Sequence, residues 1–176
     1  MLIIYTGNGK GKTTAALGSA CRALGRGKRV LVIQFIKSLG WPSGEDHFLE
    51  KFQIPNSKLQ IIKMGLGFVG ILGNKKPISA HKKAAEKALA FVRKAIAGGK
   101  YDMIVLDEIN VAVDLKLLKA NDVLKILKQT PKEIIFILTG RGAPKSFIKK
   151  ADLVTEMREV KHPFNKKKRA CLGVEF

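Results

Sequence analysis

The residues Leu2-Ile3-Ile4-Tyr5-Thr6-Gly7-Asn8-Gly9-Lys10-Gly11-Lys12-Thr13-Thr14 follow the initial methionine and decide the fold. Leu2 to Tyr5 form an apolar run typical of a buried parallel strand, and from Thr13 to Arg26 apolar residues recur at helical spacing. A glycine-rich turn between such a strand and such a helix directs backbone N–H groups and the positive helix end at one point. Lys12 would reach phosphate oxygens there, and the Thr13 hydroxyl would lie where it can hold Mg²⁺. The stretch therefore predicts a phosphate-binding loop.

This loop is one residue shorter than the common G-x-x-x-x-G-K-[ST] pattern. Counting back from Gly11, the first glycine should stand at position 6, but the chain has Thr6 there and the glycine follows at Gly7. Strand, glycines, Lys-Thr pair and helix still come in the order that phosphate binding requires. A surface turn rich in glycine and lysine is the less favoured interpretation.

Five further strand-like runs alternate with helical or loop stretches and predict an α/β fold, a mainly parallel sheet covered by helices on both faces. The runs are Val30 to Phe35, Leu59 to Ile62, Met103 to Asp107, Ile134 to Leu138 and Leu153 to Met157, and Leu172 to Phe176 is a candidate final strand. Further helices are expected over Glu45 to Lys51, Ser79 to Ala97, Asn121 to Gln129 and Pro144 to Lys149. Ser79 is the expected N-cap of the second of these, and Gly98-Gly99 its expected stop. With 176 residues and no linker or repeat, the chain is interpreted as one domain, 1–176.

Composition limits the class of partner. The chain has 33 lysine and arginine residues against 14 acidic ones, a formal net charge of +19 that attracts polyanions or acidic proteins at low salt. The run Lys166 to Arg169 is a candidate docking patch, although a solvated turn explains it as well. No apolar run reaches the ~20 residues that cross a bilayer, so a cytoplasmic protein with no membrane partner is expected. Cys21 and Cys171 lack metal or disulfide spacing and are expected to be buried thiols.

Three more segments are expected at the edge where the parallel strands end. Asp107 and Glu108 follow the strand Met103 to Leu106, and a carboxylate facing the Thr13 hydroxyl would complete an oxygen-rich Mg²⁺ site. Arg141 follows the next buried strand, and its planar guanidinium suits phosphate oxygens. The glycine-rich stretch Met64 to Pro77 is long enough to be a substrate loop. No nucleophilic triad is visible among the scattered histidines.

Taken together, these segments resemble the ATP:corrinoid adenosyltransferases of the phosphate-loop type over nearly the whole chain. The matching segments are Thr6 to Thr14, Gln34-Phe35-Ile36-Lys37, Gly65-Leu66-Gly67-Phe68, Val105 to Asn110, Leu138 to Gly142 and Val154 to Phe164. The resemblance implies a P-loop NTPase (RecA-like) architecture. It also implies that ATP binds with its triphosphate reversed, so that a reduced Co(I) corrinoid attacks C5′ of the ribose and inorganic triphosphate leaves. No side chain is then the catalytic nucleophile, because cobalt is.

The same resemblance implies the site residues. ATP would be held by Thr6, Gly7, Asn8, Gly9, Lys10, Gly11, Lys12, Thr13, Thr14, Arg22 and Arg141. Thr13 and Glu108 would serve Mg²⁺ (or Mn²⁺), with Asp107 as a supporting acid, and Phe68, Gly67 and Gly70 would bind the corrinoid. An acidic flavodoxin-like reductant and a homodimer are the implied partners.

The sequence departs from the family at one position that matters for the corrinoid. Where the family commonly has a tryptophan two residues after the phenylalanine, this chain has Gly70, and its only tryptophan is Trp41. The chain also begins almost directly at its first strand, without the extension that covers the corrinoid in some members. These differences predict an open corrinoid site that favours precursors without a bulky lower base.

Two other functions remain open at this point. An ATPase acting on nucleic acid would use Asp107 on Mg²⁺ and Glu108 to polarise a water, but aromatic residues make up only 7% and none interleave with the basic run, so a nucleic-acid partner is disfavoured. A nucleotide-dependent corrinoid carrier would bind both ligands without chemistry.

Overall fold

The computed structural model describes residues 1–52, 55, 58–70, 76–163 and 170–174. Strands and helices alternate along these ranges. They are β1 (Leu2–Thr6), α1 (Lys12–Gly25), β2 (Val30–Gln34), α2 (Gly44–Lys51), β3 (Leu59–Lys63), α3 (Ile78–Ala97), β4 (Met103–Asp107), α4 (Ile109–Asp114), α5 (Ala120–Lys128), β5 (Ile135–Thr139), α6 (Lys145–Ile148) and β6 (Leu153–Glu156).

The strands of the described ranges form one sheet in the order β3-β2-β4-β5-β1-β6, and every neighbouring pair is parallel. Every residue of β2 and β4 is buried, as expected for strands covered on both faces. Because all strands run the same way, their carboxyl ends share one edge, which we call the carboxyl edge. The parallel sheet of the sequence prediction is confirmed.

The two faces of the sheet carry separate cores because successive strand residues point to opposite sides. On one side Val30 and Val32 pack with the small residues of α1, where Ala16 and Ala20 let the helix approach closely. On the other side Leu31 packs with α3, α4 and α5. Helices therefore cover both faces, and α1 begins at the carboxyl edge directly after the loop that follows β1.

Several local predictions are wrong. Pro77, not Ser79, is the N-cap residue of α3, because the ring of Pro77 fixes φ at −67° and its ψ of 150° places it just outside the helix. Cys21 and Cys171 are exposed, since Cys21 follows buried Ala20 and so faces away from the sheet. The sequence did not predict α4.

Three other outcomes concern the ends of elements and of the chain. The stop of α3 at Gly98 and Gly99 is confirmed, and Gly99 has a positive φ of 61°. Residues 172–174 lie in a turn rather than in the candidate final strand, while 175–176 and the basic run 166–169 lie outside the described residues. No helix in the described ranges is long and apolar enough to pass through a lipid bilayer.

Candidate functional site

The loop between β1 and α1 has a conformation that only glycine adopts easily at two positions. Gly7 has a φ of 93° and Gly11, the N-cap residue of α1, a φ of 111°. The loop is also covered closely by the segment after β6. Gly9 N donates to the Met157 carbonyl at 2.7 Å, and a Cβ on Gly7 would lie 2.4 Å from that same oxygen. The predicted loop is therefore built as expected, but its cover by Met157 and Arg158 was not foreseen.

Lys12 is the first residue of α1 and is buried. Its Nζ donates to the carbonyls of Gly7 at 2.8 Å and Gly9 at 2.6 Å, so it lies across the loop. Burial lowers the pKa of Lys12, the charge of Glu108 opposes this, and the charge of Arg141 adds to it. Because the charges of Glu108 and Arg141 both act on Lys12, these two residues lie near the loop.

Asp107, the last residue of β4, is fully buried and accepts three hydrogen bonds. Its Oδ1 accepts from the hydroxyls of Thr13 at 2.8 Å and Thr139 at 2.6 Å, and its Oδ2 accepts from Gln34 Nε2 at 3.1 Å. Neighbouring strands supply Gln34 and Thr139, neither of which was predicted as a site residue. The carboxylate is therefore fixed in orientation beside Thr13.

Glu108 occupies the left-handed region with a φ of 62° as the N-cap residue of α4. Its backbone N donates to the Thr139 hydroxyl at 2.9 Å. Burial and the charge of Asp107 raise the pKa of Glu108 to about 7, against the opposing charges of Lys12, Lys37 and Arg141. The resemblance implies that Glu108 serves Mg²⁺ together with Thr13, and this stays a prediction. In the structure the Thr13 hydroxyl donates to Asp107.

These groups fit a hard divalent cation. Thr13 and the two carboxylates offer oxygen ligands of the kind that Mg²⁺ prefers. Within the described ranges no group of three or more His, Cys, Asp or Glu side chains could hold a metal by itself. Three oxygen ligands from the protein leave room for water and phosphate oxygens around such a cation.

The two predicted arginines lie in different places. Arg141 follows β5, and its charge acts on both Lys12 and Glu108. Arg22 lies in the last turn of α1, nine residues after Thr13, which is about 13 Å along a helix axis. A nucleotide contact by Arg22 stays a prediction.

A cavity of about 700 Å³ opens between the loops that follow β2 and β3. Its lining includes Trp41, Gly67 and Phe68, and the rings of Trp41 and Phe68 meet edge to face with centroids 6.0 Å apart. Gly67 N donates to Ile36 O at 2.9 Å, which joins the two loops. Gly70, by contrast, is absent from this lining, and a Cβ built on it would meet no atom of the described residues within 4 Å.

Trp41 was not predicted as a site residue. It is 64% exposed, and Phe68 is 43% exposed, so both rings present apolar surface at the carboxyl edge. The signal in the sequence was only that a single tryptophan lies in a loop after a strand.

Comparison with known proteins gives one consistent family. The model described as "ATP:corrinoid adenosyltransferase BtuR/CobO/CobP" matches residues 1–176. The corrinoid adenosyltransferase of Escherichia coli (strain K12) is 37% identical over 176 residues, which are 100% of this chain and 85% of that protein. The corrinoid adenosyltransferase CobA of Salmonella typhimurium (strain LT2) is 38% identical over 176 residues, with the same coverage of 100% and 85%.

Solved structures support the fold. The flagellar accessory protein FlaH of Methanocaldococcus jannaschii superposes with a TM-score of 0.59 at 15% identity, covering 88% of this chain and 69% of that one. A KaiC-like protein of Pyrococcus horikoshii gives a TM-score of 0.52 at 16% identity, covering 88% and 71%. These similarities show a P-loop NTPase-like architecture and nothing more. By the family model and the full-length relatives, the chain belongs to the ATP:corrinoid adenosyltransferase family.

Proposed function

We propose that the chain transfers the 5′-deoxyadenosyl group of ATP to the Co(I) centre of a corrinoid and releases inorganic triphosphate. Family membership supports a transferase that uses ATP and a corrinoid. The observation that carries the finer proposal is the position of two unlike sites at one edge of the sheet. One is a phosphate loop beside a buried carboxylate, and the other is a cavity of about 700 Å³ with two exposed aromatic rings.

The phosphate end of the site is suited to a leaving group of high negative charge. The N–H groups of the loop and the positive end of α1 meet there with Lys12, and Arg141 adds a further positive charge nearby. Thr13, Asp107 and Glu108 would hold Mg²⁺, which supplies further positive charge to the phosphates when it is bound. Stabilising a departing polyanion by fixed charges lowers the barrier without a reactive side chain.

The reaction needs position more than acid–base chemistry. The cobalt substrate supplies the electron pair that forms the bond to C5′. The bond between C5′ and the phosphate oxygen breaks, and its electron pair leaves with triphosphate. What the protein must do is hold the two substrates in line, and rigid strand ends are good supports for such geometry.

The aromatic cavity is the proposed corrinoid site. Phe68 and Gly67 line it, as the resemblance predicts, and Trp41 adds a second apolar ring. Gly70 stands where the family commonly has a tryptophan, and an added Cβ there would meet no atom of the described residues within 4 Å, which supports the proposal of a more open site. We expect adenosylation of cobinamide to be faster than that of cobalamin, and equal or faster turnover of cobalamin would count against the open site.

One assay tests the central proposal. The protein is incubated with ATP, Mg²⁺ and chemically reduced corrinoid, and the products are examined for a light-sensitive adenosylated corrinoid and for triphosphate. Release of phosphate without adenosylation would support the ATPase alternative, and spectral binding without a new cobalt–carbon bond would support the carrier. The variant Cys21→Ser serves as a control substitution and should give the same products as wild type, because this exposed side chain on α1 lies outside the proposed site.

The partners are also proposals. The net charge of +19 supports docking of an acidic, flavodoxin-like reductant, and the rate of corrinoid reduction by such a partner should fall as salt rises. A rate that is indifferent to ionic strength would remove this support. The homodimer stays a prediction, which sedimentation of the intact protein tests directly.

A further inference from the structure

Gln34, the last residue of β2, is a fully buried polar side chain between the two proposed sites. We infer that Gln34 is a positioning residue that connects Asp107, through Glu45, to the loop carrying Trp41. Binding of Mg-ATP would then change the positions of the aromatic rings in the corrinoid cavity. The inference rests on the proposed function in that the two sites serve one reaction. Four consecutive contacts connect the phosphate site to the aromatic cavity.

The first contact joins the phosphate site to α2. Gln34 Nε2 donates to Asp107 Oδ2 at 3.1 Å and to Glu45 Oε1 at 3.0 Å, so both amide hydrogens bind carboxylates. Gln34 also lies directly opposite Asp107 in the pairing of β2 with β4. Its Oε1 accepts no hydrogen bond from the described residues. A buried amide oxygen without a hydrogen bond is unfavourable, so the Gln34 side chain is stabilised by moving if a donor comes within reach.

The second contact joins α2 to the loop 35–43. Lys37 forms an ion pair with Glu45, and the Glu45 side chain is only 14% exposed. Burial opposes the shift, but the hydrogen bond and charge of Lys37 and the hydrogen bond from Gln34 lower the pKa of Glu45 to about 2. The charge of Lys37 also acts to lower the pKa of Glu108, so this lysine lies near the phosphate site as well as beside Glu45.

The third contact joins the same helix end to Trp41. Asp46 accepts from the backbone N of Ser43 at 2.8 Å and from Lys63 Nζ, and Lys63 Nζ also donates to the Trp41 carbonyl at 2.8 Å. The Lys63 side chain is only 3% exposed. Both ends of the segment 37–43 are therefore held by the first turn of α2, and a shift of Glu45 carries the segment with it.

The last contact passes from the backbone to the cavity. The ring of Trp41 meets the ring of Phe68, and Ile36 O accepts from Gly67 N at 2.9 Å. A cation at Asp107 competes with Gln34 for the same carboxylate. Loss or weakening of that hydrogen bond frees Gln34 to change its bond to Glu45, which starts the movement that ends at Trp41.

The chain carries its own probe for this movement, since Trp41 is the only tryptophan. Mg-ATP is titrated into the intact protein without corrinoid, and tryptophan emission is followed beside calorimetric measurement of binding. The wild-type protein should show an emission change that saturates together with calorimetric binding. In Gln34→Leu, which keeps the bulk but removes both donors, the change should fall to about a quarter or less while the Kd shifts by no more than about fivefold, roughly 1 kcal/mol.

A matched pair at Glu45 separates coupling from general damage. Glu45→Gln keeps an oxygen that accepts from Gln34 and should keep at least about half of the emission change, whereas Glu45→Leu removes the acceptor and should lose it at similar Mg-ATP affinity. If Gln34→Leu does not fold, this pair decides the question alone. A full emission change in Glu45→Leu or Gln34→Leu, or none in wild type at saturation, overturns the inference.

Failure of the inference and failure of the proposed function give different results. Mg-ATP that binds without any emission change removes the coupling and leaves adenosyl transfer untouched. A full set of expected emission results with no adenosylated corrinoid removes the proposed reaction and leaves the contact between the sites in place.

Discussion

Replacing Thr139 by valine removes one hydroxyl that serves two partners. The side chain is fully buried at the end of β5, donates to Asp107 Oδ1 at 2.6 Å and accepts from Glu108 N at 2.9 Å. Valine has nearly the same shape, so packing is preserved while both hydrogen bonds are lost. A hydrogen bond to a charged group contributes about 1.5–3 kcal/mol and a backbone N–H left unpaired costs about 1 kcal/mol or more, giving a loss of about 3 kcal/mol.

Urea unfolding monitored by circular dichroism measures this loss. The dependence of the free energy of unfolding on urea concentration should stay unchanged. In thermal unfolding of a chain of this length, a loss of about 3 kcal/mol corresponds to a fall in Tm of roughly 6–12 °C. Thr139→Ser keeps the hydroxyl and should lose only about 1 kcal/mol for the missing methyl group. Thr155→Val, on the exposed strand β6, should stay within about 0.5 kcal/mol of wild type. If Thr139→Val costs less than about 1 kcal/mol, or no more than Thr139→Ser, the hydroxyl does not hold the carboxylate as described.

Three further changes test other parts of the site. In Gly65→Ala the new Cβ would lie 2.2 Å from the Ile36 carbonyl carbon, so the loop must shift, and the KM for corrinoid should rise about tenfold or more while Mg-ATP affinity by calorimetry stays the same. Glu45 has a pKa of about 2 against an ordinary 4.5, so its stabilisation of about 3 kcal/mol is present above pH 4.5 and is lost as the pH falls towards 2. Urea unfolding should therefore show wild type losing about 2 kcal/mol more than Glu45→Gln between pH 6 and pH 3, and parallel pH profiles would contradict this. Arg141→Gln should weaken Mg-ATP binding about tenfold, because the variant loses a positive charge close to Lys12 and Glu108 at the phosphate site. The same measurement on Arg22→Gln shows whether the last turn of α1 also contributes to Mg-ATP binding.

The phosphate loop could be predicted because its signals are local. Gly7, Gly11, Lys12 and Thr13 lie within one turn between a strand and a helix, and each residue type has a physical reason at its position. Asp107 could be proposed as a site residue for the same reason, because it is a carboxylate at the end of an apolar strand.

Gln34 and Thr139 could not be assigned in the same way. Each is an uncharged polar residue at the end of a strand, and nothing in its sequence neighbours marks it. Their contacts with Asp107 depend on the pairing of β4 with β2 on one side and with β5 on the other, which brings together residues 73 and 32 positions apart in the chain. Strand order is a long-range property that the spacing of apolar runs does not contain.

Trp41 and α4 were missed for two other reasons. The contact of Trp41 with Phe68 joins two loops on neighbouring strands, so it depends on how those loops bend. The helix α4 has only six residues, and it begins after Glu108, a non-glycine residue with a positive φ of 62°. Such a backbone conformation is uncommon outside glycine and gives no helix signal in the sequence.

The strand order also sets the distances between the loops at the carboxyl edge. Parallel strands lie about 4.8 Å apart, and three steps separate β1 from β2 while four separate it from β3, which gives spans of roughly 14 Å and 19 Å. In the proposed reaction, a nucleotide held by its phosphates after β1 would extend along the carboxyl edge past β5 and β4 towards the aromatic rings. The proposed direction of the ligand thus follows from the order of the strands in the sheet, and the side chains at the strand ends hold the ligand in place.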